Sequence, residues 1–233
     1  MPNTDYYKKL IYCPLDLPTP PEVDYDKFNE WYLEQLEYNN KLNQISKLAD
    51  GKQEYPWKVS WALWRNTYDK SNPWICDFDK KFPELVEYIK MYPFVTPKSI
   101  SFLDQKESRD VYLHTDPDKR WGMRFYLKNG LGEKLYFVKS LEQRKERLKT
   151  MQDGKYNDLW EHSQKEKIYA KFPNNRCAWM LNSMDAFHGV ERNPKPQGNR
   201  VTCVLIGDYD YKKLFKLFDD SIKKYKDYAI WYE

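Results

Sequence analysis

Residues 109–138, RDVYLHTDPDKRWGMRFYLKNGLGEKLYFV, decide the fold. Three short runs lie within and just beyond this stretch: RDVYLHTD from 109, GMRFYLK from 122 and EKLYFVKS from 133. Each is rich in aromatic and branched residues and too short for a helix, so each reads as a strand. Asn129-Gly130 between the second and third is a tight-turn signal.

The same texture extends outward. SISFLDQ (99–105) precedes it, and KIYAKF (167–172), CAWMLN (177–182), AFHGVER (186–192) and RVTCVLIGDY (200–209) come after it. Eight short strands predict a sandwich or jelly roll rather than a wound parallel sheet. The β core is expected over 94–210, interrupted by a polar, partly helical insertion at 140–166.

Residues 1–93 are expected to be largely helical, with one strand. Pro14, Pro18, Pro20 and Pro21 punctuate an irregular lead-in. From Asp24 to Asp50 the residues Phe28, Trp31, Tyr32, Leu36, Leu42, Ile45 and Leu48 recur at helical spacing, with Gly51 as a stop. WKVSWALWR (57–65) alternates as a half-buried strand does, and FPELVEYIKMYP (82–93) is a short helix with Pro83 in its first turn. Residues 211–233 read as an amphipathic helix. The expectation is one mainly β domain over 1–233 with flanking helices.

Composition sets bounds. The 39 basic and 35 acidic residues leave a formal charge of +4, spread along the chain, which disfavours a nucleic-acid partner held by clustered phosphate contacts. Cys13, Cys76, Cys177 and Cys203 show no C-x-x-C spacing, and free thiols in a reducing cytoplasm are expected. The opening residues MPNTDYYKKLIY lack the apolar run of a signal peptide, and no stretch is long enough to span a bilayer. The abundant aromatics read first as core.

Chemistry concentrates in two of the three histidines. In LHTD, His114 and Asp116 are two residues apart on an expected strand, so period-2 alternation turns both to one face. His188 opens another expected strand. Two imidazoles and one carboxylate on one side of an iron form a facial triad with open positions opposite. Those positions suit a chelating keto acid and dioxygen. H-x-D is a short pattern, however, and a strand histidine is more often structural. The residues downstream strengthen the reading: Arg200 lies twelve residues after His188, and Arg200 and Thr202 share a face of the next strand. A guanidinium beside a hydroxyl suits the distal carboxylate of a dicarboxylic acid.

In this order, LHTD, RFYLKNGLGEKLYF and AFHGVERNPKPQGNRVTCVLIG resemble the 2-oxoglutarate/Fe(II)-dependent oxygenase superfamily, nearest its prolyl-hydroxylase-like branch. The resemblance spans about Ser99 to Tyr209. It implies a double-stranded β-helix, a cupin-like jelly roll. It also implies iron ligands His114, Asp116 and His188, Arg200 on the distal carboxylate, and Thr202 and Tyr126 assisting. Lys128 departs from the asparagine that relatives often carry. The implied cofactors are Fe(II), 2-oxoglutarate as co-substrate and O2. The implied reaction is oxidative decarboxylation to succinate and carbon dioxide coupled to hydroxylation. Asp116, where halogenating relatives have a small residue, favours hydroxylation.

The expected substrate is an amino-acid side chain in a protein or a small free molecule. Nucleic-acid demethylation is disfavoured, since relatives with that activity carry an arginine where this chain has Ile206. The rival from another class is a non-catalytic jelly-roll module binding a metal or ligand. His162 reads as a surface residue and Arg192 as a rim residue. Tyr112 reads as core or pocket. Arg124, sharing the face of Tyr126, is either a second anion contact or a sign that the strand register is wrong. The 140–166 insertion is either a solvated face or a lid.

Overall fold

The structure, a computed structural model, describes residues 4–31, 33–34, 78–105, 110–115, 121–130, 132–138 and 167–232. The expected strand at 57–65, most of the helix from Asp24, the 140–166 insertion, Asp116 and His162 lie outside them.

The described chain forms mainly antiparallel β-sheets with few helices. Ten strands are β1 (Leu10–Pro14), β2 (Phe94–Gln105), β3 (Val111–His114), β4 (Trp121–Asn129), β5 (Lys134–Val138), β6 (Lys167–Tyr169), β7 (Ala178–Asn182), β8 (His188–Glu191), β9 (Arg200–Tyr209) and β10 (Ile230–Trp231). One sheet has the order β10-β1-β7-β4-β9-β2 and the other β3-β8-β5-β6. From β2 to β5 the chain alternates between sheets; β6 stays beside β5, and the alternation then resumes through β9. All eight expected strands are present, with β2 beginning earlier than SISFLDQ.

Two strands were not expected. LIYCP in β1 is buried throughout, a continuous apolar run without the alternation that marks a half-exposed strand. It pairs with β7 on one side and with β10 on the other. The region expected to be helical over 211–233 also differs. Its helix spans Tyr211–Lys224 and stops at Tyr225; the chain then turns, and Ile230–Trp231 becomes β10.

Alternation along the large sheet gives it two distinct faces. Met123, Phe125, Ala178, Met180, Val201, Cys203 and Leu205 point outward into a core shared with the helices. That core includes Leu85, Val86 and Ile89 of the helix Pro83–Ile89, Phe28 and Trp31 of the helical residues 25–31, and Leu214, Phe215 and Phe218. The helix Tyr211–Lys224 begins where the Asp210 carboxylate accepts from the backbone N–H of Lys212 and Lys213. Its Phe215 ring stacks on Tyr7 at 4.3 Å.

The other face of the large sheet carries Tyr126, Trp179 and Leu181, which meet Leu135 and Phe137 of the small sheet in a second cluster. Leu113, Tyr136, Val138 and Phe187 form a third cluster with the opposite parity on the small sheet. Residues one position away from Leu113 and Phe187 therefore face the space between the sheets.

Candidate active site

His114 and His188 are those residues. They stand directly opposite each other in the antiparallel β3–β8 pair. Their ring centroids are 4.3 Å apart, with the planes tilted at 48°. Cross-strand neighbours project from the same face, so register alone brings the imidazoles together. On its other side His188 faces Phe137 of β5.

His188 is 5% exposed, and its Nδ1 lies 3.1 Å from the Ala186 carbonyl oxygen. A carbonyl oxygen only accepts, so Nδ1 donates and carries the proton. In the neutral ring the lone pair is then on Nε2, the tautomer suited to a ligating imidazole. Asp116 lies outside the described residues. Among the described residues, no group of three His, Cys, Asp or Glu side chains could hold a metal ion.

The large sheet brings the other expected residues together. Tyr126 of β4 faces Thr202 of β9, and Asn129 faces Arg200. Tyr126 and Thr202 are both buried. The Tyr126 ring packs against Phe172 and Trp179 at 5.6 and 5.9 Å between centroids. Burial pushes its phenol pKa up, with the Arg200 charge the chief opposing influence. The hydroxyl therefore stays protonated and able to donate.

Arg124 has the register expected of it. It opposes Trp179 and Val204, and its guanidinium lies 5.3 Å from the Trp179 ring centroid. Its Nη1 donates to the Gly122 carbonyl oxygen at 3.2 Å. A Cβ at position 122 would lie 2.7 Å from the same Nη1, so a side chain there would have to push the end of Arg124 aside. Arg192 lies elsewhere: it is exposed and beside Asp110, to which its backbone N–H donates. Lys128 sits over the Tyr25 ring at 4.0 Å.

Glu133 is the residue that sequence reasoning missed. Its side chain has no exposed surface, and its Oε2 lies 2.5 Å from Arg200 Nη1. The only hint in the sequence is an acid directly after the NGLG turn.

No family model matches the chain, and no curated protein matches it. Solved structures similar to the chain include the following three. HygX from Streptomyces hygroscopicus, with nickel and 2-oxoglutarate bound, has 10% identity and a TM-score of 0.44 over 88% of this chain and 85% of its own. The non-heme alpha ketoglutarate dependent epimerase SnoN from nogalamycin biosynthesis has 12% identity and a TM-score of 0.38 over 87% and 80%. A Pseudomonas putida prolyl-4-hydroxylase has 12% identity and a TM-score of 0.34 over 86% and 94%. These likenesses are distant, and the functional reading rests on the chain's own residues. No helix among the described residues is long and apolar enough to cross a membrane.

Proposed function

We propose that the chain is a 2-oxoglutarate- and Fe(II)-dependent dioxygenase that hydroxylates an amino-acid side chain in a protein or a small free molecule. The observation that carries this reading is the His114–His188 pair, 4.3 Å between ring centroids and facing the inter-sheet space. Supporting the double-stranded β-helix are the sheet orders β2-β9-β4-β7 and β3-β8-β5-β6, with the chain crossing between them.

The donor set fits the metal. Two adjacent imidazoles, one already in the ligating tautomer, supply nitrogen ligands, and Asp116 is the proposed oxygen ligand. When bound, iron and 2-oxoglutarate would supply dioxygen activation, coupled to release of succinate and carbon dioxide.

The chain's own residues do the rest. Ala186 orients His188 through its backbone carbonyl. Arg200 offers a planar fork of donors for a distal carboxylate, where charge-assisted bonds contribute roughly 1.5–3 kcal/mol each. Thr202 and the protonated Tyr126 are the neighbouring hydroxyls. Phe137, Trp179 and Leu181 line the inter-sheet cluster and exclude water from it.

The Glu133–Arg200 ion pair favours a second reading, a non-catalytic module in which Arg200 is structural. One experiment separates the two. Metal-free protein titrated anaerobically with Fe(II) and 2-oxoglutarate should develop the visible charge-transfer band of the chelate. His114→Ala and His188→Ala should each lose it, with iron affinity reduced by at least roughly 100-fold. No band in the unmodified protein would overturn the oxygenase reading.

A further inference from the structure

Arg200, the proposed anchor for a carboxylate, already holds one. The Glu133 side chain is fully buried, and Oε2 lies 2.5 Å from Arg200 Nη1, whose own side chain is 16% exposed. A carboxylate removed from water needs a cation beside it, so the pair is not a surface contact of convenience.

The backbone delivers Glu133 to this place. The Gly130 N–H donates to the Asn199 carbonyl oxygen, and the Gln197 N–H donates to the Gly130 carbonyl oxygen, each at 2.8 Å. A Cβ at Gly130 would lie 2.9 Å from the Asn199 oxygen, so only glycine permits the approach. Gly132 has φ of +60°, a left-handed conformation that side chains rarely adopt, and it turns the chain into Glu133. The turn before β5 is thus locked onto the segment that leads into Arg200.

We propose that Glu133 is an internal stand-in for the distal carboxylate of the dicarboxylic co-substrate, occupying Arg200 until the co-substrate displaces it. This rests on the reading of Arg200 as the co-substrate anchor. Two carboxylates crowded on one half-buried guanidinium repel each other, so the ionised Glu133 opposes entry of a dianion. Glu133 therefore sets how tightly the co-substrate binds. It also raises the requirement that a ligand present a carboxylate able to compete for the fork. A keto acid without a distal carboxylate has nothing to exchange for Glu133.

The test is calorimetric titration of the nickel-loaded protein with 2-oxoglutarate and separately with pyruvate, comparing the unmodified chain with Glu133→Gln. The substitution keeps size and removes charge. Affinity for 2-oxoglutarate should rise roughly ten-fold or more, the order expected when one like charge leaves a buried anion site. Affinity for pyruvate should be unchanged. Equal or weaker binding of 2-oxoglutarate by Glu133→Gln would overturn the proposal and make Glu133 a positioning residue for Arg200, leaving the oxygenase reading intact. Absence of metal-dependent 2-oxoglutarate binding in both proteins would overturn that reading and the proposal together. If Glu133→Gln fails to fold, Glu133→Asp, which draws the carboxylate back by one methylene, should also strengthen binding. Unchanged or weaker binding by Glu133→Asp would be decisive against the proposal.

Discussion

Gly189 and Tyr136 face each other across β8 and β5 so closely that a Cβ on Gly189 would lie 2.5 Å from the phenol oxygen. The same Cβ would meet the Val111 carbonyl oxygen of β3 at 2.7 Å. Three strands therefore converge on a position adjacent to His188.

Gly189→Ala should destabilise the protein by about 1–3 kcal/mol through overpacking, measured by urea unfolding. Tyr136→Phe should relieve only part of this, because the Val111 oxygen belongs to the backbone. Full recovery in the double variant would show that the Tyr136 hydroxyl alone opposes the added methyl group, although the ring Cζ lies 2.5 Å from it as well.

Stability near both ends of the pH range should depend on Tyr169 and Glu191. Tyr169 Oη donates to Glu191 Oε2 at 2.7 Å, and Lys167 Nζ donates to the same oxygen at 3.2 Å. The Tyr169 bond is the main cause that lowers the Glu191 pKa from its ordinary 4.5. That contribution is fully present above pH 4.5 and is lost as pH falls through the lower folded value. The same bond pushes the Tyr169 phenol up to about 12 from 10.0, a contribution present below pH 10 and lost as pH rises through 12. Tyr169→Phe should thus lower the melting temperature at about pH 7, with the difference shrinking in strong acid and in strong alkali. A difference that persisted undiminished at the acid end would refute the assignment.

Asp210→Ala should cost about 1 kcal/mol, since its carboxylate accepts from two backbone N–H groups at the start of the helix Tyr211–Lys224. Chemical denaturation reads the change, and Asp210→Asn should restore most of it.

What the sequence made legible was whatever depends on local pattern. RVTCVLIGDY coincides with β9 because its outward residues Val201, Cys203 and Leu205 alternate with Arg200, Thr202 and Val204. The same parity placed Tyr126 with Thr202. It also placed Arg124 on the inner face, where the contacts with Trp179 and Gly122 remove the doubt about register. The two histidines were legible as strand residues, but their pairing depends on β3 lying beside β8.

Long-range contacts escaped the sequence reading. β1 was hidden because a strand covered on both faces has no period to read, and β10 is only two residues long. In the sequence Glu133 is only an acid that follows the NGLG stretch. Its meaning depends on residues 197–200, which no local window contains.

The placement of β1 also bears on how the chain folds. Leu10 faces Trp231 and Tyr12 faces Leu181, so nearly the whole described chain separates this strand from its partners. Closing so long a loop costs entropy before any contact offsets it, and non-local sheets form slowly for that reason. During synthesis, LIYCP would wait beside the nascent chain as an unpaired apolar segment until β7 emerges, and its second edge would stay open until residues 230–231 follow. Its completion is a late event, and the interval before it is when the chain is most open to aggregation.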